Sequence, residues 1–251
     1  MNTKKSVLTL AILTLTSIVP AKIAFAILPQ EPTVEIDPTT GEISIEFPPP
    51  PEKPNPETTA GGGTRGEECQ EAVDKQETQL TALMPCENVV TTIAPNPTMF
   101  WYVPVTNSKS AELIIVEEAT GKYIHNQTIN IPETAGVIQV KLPETVSLEL
   151  NKSYLWKFAL ICDSTGPSEC EDVSGRMERT ALTPELEEQL KKVTTPIEQA
   201  KLYAQYYLWN ETISILAELR DSYPSEWKQL LNSVGIEEDK IVEAPFVAIL
   251  N

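Results

Sequence analysis

Near Thr183 the hydrophobic period of this chain changes from two residues to about 3.6, and it does so once. A single switch of that kind places strands first and helices after, which is an α+β arrangement. Upstream of it, Leu80–Leu83, Thr98–Val103, Ala111–Glu118, Lys122–Ile131, Val137–Leu142, Tyr154–Cys162 and Gly175–Thr180 are short runs of strand formers punctuated by Pro, Gly and Asn. Seven such runs in about a hundred residues predict a β-sandwich of Ig-like character. Ile138, Val140 and Leu142 alternate with Gln139 and Lys141, as a strand buried on one face requires. Tyr154, Trp156, Phe158 and Leu160 share a face, while Leu155, Ala159 and Ile161 are apolar on the other. Apolar on both sides, that strand is predicted to be central.

Downstream, Thr183-Pro184 and Thr195-Pro196 each put a capping residue before a proline suited to a first helical turn, and Thr195-x-x-Glu198 adds a capping box. Ile197, Ala200, Ala204, Tyr207 and Leu208 form one apolar stripe; Trp227, Leu230, Leu231 and Val234 form another, closed by Gly235. Between them a helix is expected over Glu211–Tyr223, ending at Pro224. The segment Ala200–Pro224 looks like a single tetratricopeptide-type hairpin turning at Trp209-Asn210. A lone repeat cannot bury its own faces, so it is expected to pack on the sandwich.

The N-terminal quarter reads differently. Lys4 and Lys5 precede the largely apolar run Ser6–Ala21, and Ala24-Phe25-Ala26 supplies a small-x-small cleavage pattern, so residues 1–26 read as an export signal. The run is too short and too interrupted to be read as a spanning helix. Residues 27–66 hold a hairpin pattern at Thr33–Phe47 and then a linker: Pro48–Pro51, Pro54 and Pro56, followed by Gly61-Gly62-Gly63. A two-stranded unit is marginal alone, so the hairpin must dock, be covered, or stay partly formed. Residues 67–182 are then the sandwich and residues 183–251 the helical subdomain.

The formal net charge is −17, and loss of Lys4, Lys5 and Lys22 with the leader makes it more negative. Such a surface repels phosphate backbones, so nucleic acid is not an expected partner. Cys69, Cys86, Cys162 and Cys170 make an even set in a disulfide-permissive compartment. Three pairings exist; proximity favours Cys69–Cys86 with Cys162–Cys170. With no Cys-x-x-Cys and a single histidine, His125, a zinc site is not expected.

Certain stretches resemble a known family. Gly61-Gly62-Gly63-Thr64-Arg65-Gly66 before a cysteine, Leu80-Thr81-Ala82-Leu83-Met84-Pro85 and Pro97-Thr98-Met99-Phe100-Trp101-Tyr102-Val103-Pro104 resemble domain-of-unknown-function family 928, a set of exported cyanobacterial proteins. Leu142-Pro143-Glu144, Tyr154-Leu155-Trp156-Lys157-Phe158 with Cys162-Asp163, and Tyr203-Ala204 before Leu208-Trp209 fit the same pattern. The resemblance runs from about Gly61 to near the C-terminus. It implies an extracytoplasmic location and a shared architecture, and brings no activity, cofactor or catalytic residue.

The residues themselves name no reaction. Gly61–Gly66 lacks the Lys-Ser/Thr ending of a phosphate loop. His125 sits in the polar stretch Tyr123–Asn126 without a nucleophile elbow. Asp163, Glu169, Glu171 and Asp172 crowd one loop, but their spacing is not that of an EF-hand. Phe100, Trp101 and Tyr102 must point alternately to both faces of their strand, so the outward one is the best candidate for partner or glycan contact. The expectation is therefore a non-catalytic, cofactor-free protein-interaction or adaptor module, periplasmic, cell-surface or secreted. Its partner is an unknown cell-envelope protein. The alternative is an envelope glycan-binding module, with a hydrolase behind both.

Overall fold

The structure is a computed structural model, and it describes residues 44–49, 78–85, 89–161 and 171–250. The leader, the Gly61–Gly66 run with Arg65, the four cysteines, Asp163, Glu169 and all but the last four residues of the Thr33–Phe47 hairpin lie outside the described residues.

All seven expected strand runs are strands: β1 (Thr81–Ala82), β3 (Thr98–Val103), β4 (Ser110–Glu117), β5 (Tyr123–Asn130), β6 (Gly136–Lys141), β7 (Lys152–Ile161) and β8 (Asp172–Arg179). Two more were not legible, β2 (Val90–Thr92) and β9 (Phe246–Leu250). Among the described residues they form two sheets that pack as a sandwich, ordered β1-β3-β6-β9 and β2-β8-β7-β4-β5. β7 is the middle strand of the larger sheet, as its two apolar faces predict. β2 and β9 both join parallel to their neighbours, β8 and β6. Their partners are remote in sequence, so no local turn announces them.

The core forms where the inner faces meet. Trp101 of β3 stacks on Phe158 of β7 (4.4 Å between centroids, 16° between planes) and meets Trp156 edge-on at 5.8 Å. Trp156 lies opposite Gly175 of β8, where a Cβ would sit 2.4 Å from the indole carbon Cζ2. Only a glycine leaves room for that ring. β4 contributes Ala111, Leu113 and Ile115 to the same core, and its turn into β5 is closed by Gly121 at φ 66°.

Helices follow: α1 (Pro184–Leu190), α2 (Pro196–Gln205), α3 (Trp209–Leu219), α4 (Pro224–Ser233) and the short α5 (Asp239–Val242). The predicted caps are present. The Leu186 amide donates to the Thr183 hydroxyl at 3.2 Å, and Thr195 and Glu198 form the reciprocal capping box, whose bonds hold the Glu198 carboxyl below its ordinary value. The expected turn at Trp209-Asn210 is corrected. α2 ends in a Schellman arrangement with Tyr207 at φ 60°, the Leu208 amide donating to Tyr203 O and the Tyr207 amide to Ala204 O. Trp209 and Asn210 therefore open α3 and are buried. α3 also stops at Leu219 rather than running to Tyr223, because Pro224 serves as the first residue of α4. Gly235 at φ 76° closes α4 as predicted.

The end of the N-terminal arm, Ser44–Phe47, is not a strand but docks. Ile45 and Phe47 are buried; the Ile45 amide donates to Gln229 Oε1 (3.3 Å) and the Phe47 amide to Ser233 Oγ (2.9 Å). Phe47 meets Trp209 edge-on at 5.1 Å and Tyr207 at 6.3 Å. The alternation read as a hairpin face is thus used to plug the helices.

Candidate interaction surface

The aromatic run expected to offer an exposed ring does not. Phe100, Trp101 and Tyr102 are 4, 0 and 5 % exposed. Trp101 points into the sandwich. Phe100 and Tyr102 point to the outer face of the four-stranded sheet, which the C-terminal elements cover. The Phe100 ring meets Phe246 edge-on at 6.2 Å, Phe246 leans on Trp227 of α4 at 6.1 Å, and the Arg220 guanidinium sits 4.0 Å over the Phe246 ring. Burial, with the charge of Glu238 nearby, raises the Tyr102 phenol above its ordinary pKa. The expected contact residues are covered because helices fold back on a sheet face that the strand pattern alone leaves open.

Among the described residues, the open face belongs to the other sheet. Ile114 and Val116 of β4 and Leu155 and Ala159 of β7 point away from the core and are half-buried. Ile114, Val116 and Leu155, with Lys157 and Ser174, line a shallow groove of about 230 Å³. Its borders are the strand's own ion pairs, Lys157–Asp172 (3.1 Å) and Arg176–Glu118 (2.8 Å). Tyr123 stands beside Val116 in register and is 68 % exposed. A signal for this face was present in the sequence, since Leu113-Ile114-Ile115-Val116 is apolar on both faces of β4.

Candidate chemical groups are placed as follows. His125 lies on β5 with a ring nitrogen 3.2 Å from Gln127 Oε1. Of the acidic loop, Glu171 accepts the Leu80 amide (3.1 Å) and Asp172 pairs with Lys157. The pocket beside Trp101 and Trp209 holds about 20 Å³, room for about one water molecule. The remaining unusual group was not anticipated. Glu211, in the first turn of α3, reaches across to the edge of the larger sheet, where its Oε1 accepts from the Thr92 hydroxyl (2.6 Å) and the amides of Ile93 (2.9 Å) and Ala94 (3.1 Å). Its Oε2 is buried without a partner among the described residues. Beside it the Thr91 hydroxyl donates to the Tyr207 carbonyl.

This carboxylate is a clasp between helix and sheet, and its environment leaves a pH signature. Desolvation raises its pKa above the ordinary value, and the bonds from Thr92, Ile93 and Ala94 pull it partly back. The folded carboxyl thus holds its proton more tightly than the unfolded one. Its stabilisation is fully present below the unfolded value and is lost as pH rises through the folded value. Urea midpoints of Glu211→Gln and wild type should accordingly lie close together near pH 4 and diverge toward pH 8 in favour of the variant. Parallel curves across that range would show that folding leaves the carboxyl's pKa unshifted.

Comparison with known proteins bears on this architecture. A family model described as Domain of Unknown Function (DUF928) matches residues 60–246. The chain belongs to this family. The matched range contains both sheets up to the start of β9, the five helices, Glu211 and the open sheet face. No curated protein matches the chain. Family membership therefore carries architecture and no assigned chemistry. No helix among the described residues is long and apolar enough to cross a membrane.

Proposed function

We propose that the chain is an exported, non-catalytic interaction module of the cell envelope, an Ig-like sandwich with one tetratricopeptide-like hairpin (α2–α3) as its buttress. Its docking surface is the open face of the five-stranded sheet. The observation that carries this reading is the contrast between the two outer faces: one is sealed by helices, the other keeps Ile114, Val116, Leu155 and Ala159 half-exposed. An antiparallel sheet facing only water alternates to polar residues on that side. The leader pattern Lys4-Lys5 to Ala26 and the even cysteine set support the extracytoplasmic setting.

A protein partner suits the groove better than a polysaccharide. Its floor is aliphatic, its border charges are already paired within the sheet, and the net charge of −17 opposes acidic polymers. The hairpin buries its stripe residues Ile197, Ala200 and Ala204 within the chain, which supports a supporting role for it.

The test is crosslinking in the native envelope followed by mass spectrometry, with wild type, Ile114→Asn and Lys157→Glu compared. A recurrent protein captured by wild type and lost with both variants is expected. Capture of wall polysaccharide alone would sink this reading in favour of a glycan-binding module, and capture of a protein equally well by all three would rule out this face as the docking surface.

A further inference from the structure

The seat of the N-terminal arm has the form of a peptide site. Ser44–Pro49 belong to no sheet and make no backbone–backbone hydrogen bond among the described residues. Side chains of the helices hold the segment instead. Ile45 and Phe47 are 0 and 7 % exposed, whereas Ser44 and Glu46 face solvent, which is the alternation of an extended chain. The two buried residues donate their amides to Gln229 Oε1 and Ser233 Oγ, four residues apart on one face of α4. Four helical residues rise about 6 Å and two extended residues about 6.7 Å, so the acceptors are spaced as the donors are. Ser233 itself donates to the Leu230 carbonyl at 2.7 Å, which turns its lone pairs to the arm. The groove thus reads backbone amides through α4 and an aromatic side chain through Tyr207 and Trp209.

We propose that this groove is a peptide-binding site that the arm fills in cis, and that its ligand in trans is an extended segment of a partner protein with the same aliphatic-x-phenylalanine pattern. Proline is excluded at either apolar position, because each must offer an amide. Two observations separate the arm from the site. The matched family range, residues 60–246, contains Tyr207, Trp209, Gln229 and Ser233 and stops short of the arm. The arm is joined to that range through Pro48–Pro51, Pro54 and Pro56, a linker composition that keeps it near the groove at about millimolar effective concentration without fixing it there. A ligand in trans therefore competes with a tethered one, and its apparent affinity falls in proportion to the open fraction of the groove. A second copy's arm is disfavoured, since exchange forms no contact that the closed chain lacks and two chains at −17 repel. The groove is separate from the sheet face proposed above, and the two stand or fall separately.

Fluorescence anisotropy with a labelled peptide of the sequence Glu42–Pro49 tests it, on the wild-type chain and on the double variant Ile45→Asp, Phe47→Asp, which empties the groove. The peptide should bind the double variant saturably and wild type at least about tenfold more weakly. Phe47→Ala in the peptide, or methylation of its Phe47 amide nitrogen, should weaken binding to the double variant about tenfold or more. Wild type alone supplies a second readout should the variant fail to fold: peptide at about millimolar concentration should speed amide exchange at Ile45 and Phe47. No saturable binding by a folded double variant, equal binding by both chains, or arm amides indifferent to the peptide would overturn the proposal. Self-association of wild type that Phe47→Asp abolishes would overturn the choice of a partner protein in favour of arm exchange between copies.

Discussion

Trp101→Ala lowers the free energy of unfolding by about 3–5 kcal/mol, the range for removing a large buried aromatic, with the stacking on Phe158 adding about 0.5–1.5 kcal/mol. The side chain is fully buried and touches the rings of both Trp156 and Phe158, so its loss opens a cavity between the two sheets rather than at an edge. Neighbouring strands cannot collapse into that space without breaking their ladders with β6 and β7's own partners. Urea unfolding followed by far-UV circular dichroism measures the loss. Trp101→Phe provides the contrast. The indole Nε1 is buried with no partner among the described residues, so replacing it removes an unsatisfied donor and offsets part of the lost packing. The Phe variant should lose less than half of what the Ala variant loses. Equal losses would mean that the ring's size, and not its stacking and polarity, sets the stability of the core.

Trp209→Ala has a comparable cost and a different signature. Its indole donates to the Leu83 carbonyl at 3.0 Å and receives Phe47 edge-on, so one side chain ties α3 to the β1 segment and to the docked arm. Removing it forfeits the buried ring, about 3–5 kcal/mol, and strands the Leu83 carbonyl. Trp209→Phe keeps most of the packing and should cost about 1–3 kcal/mol, the value of an unsatisfied buried acceptor. The two halves of the molecule are expected to respond unequally. Amides of α2 and α3 lose exchange protection first, while those of the central strand β7 keep theirs. Uniform loss of protection would show that sandwich and helices unfold as one cooperative unit even without this tie.

Much of the architecture was legible because it is written in local chemistry. Alternation of Tyr154, Trp156, Phe158 and Leu160 predicted a central strand; Thr183-Pro184 and Thr195-x-x-Glu198 predicted helix starts; each signal lies within a few residues of the element it specifies. The misses share a different origin. β2 and β9 are short and take their identity from parallel neighbours far along the chain. Tyr207, not Asn210, makes the turn between α2 and α3, although a tyrosine in the left-handed region is costly. Its place is secured by Phe47 and by Thr91, from segments more than a hundred residues upstream.

The candidate site was less legible than the fold. The run Phe100–Tyr102 must put rings on both faces of its strand, and reading the outward ones as exposed holds only until something covers that face. Leu155 and Ile114 look like ordinary strand formers, and become a surface only because no element packs over them among the described residues.

By itself the sequence determined seven of the strands and the helices that follow them, the central strand, the helix caps and the acidic charge balance of the chain. Those properties follow from periodicity, capping chemistry and charge, which act over a few residues or over the whole composition. Only the tertiary structure decided which outer face is sealed and which is open, what the arm residues Ile45 and Phe47 bury, and that Glu211 is withdrawn from water. Each of these depends on a contact between segments far apart in the chain, where the gain from burying apolar surface outweighs the local preference of either partner.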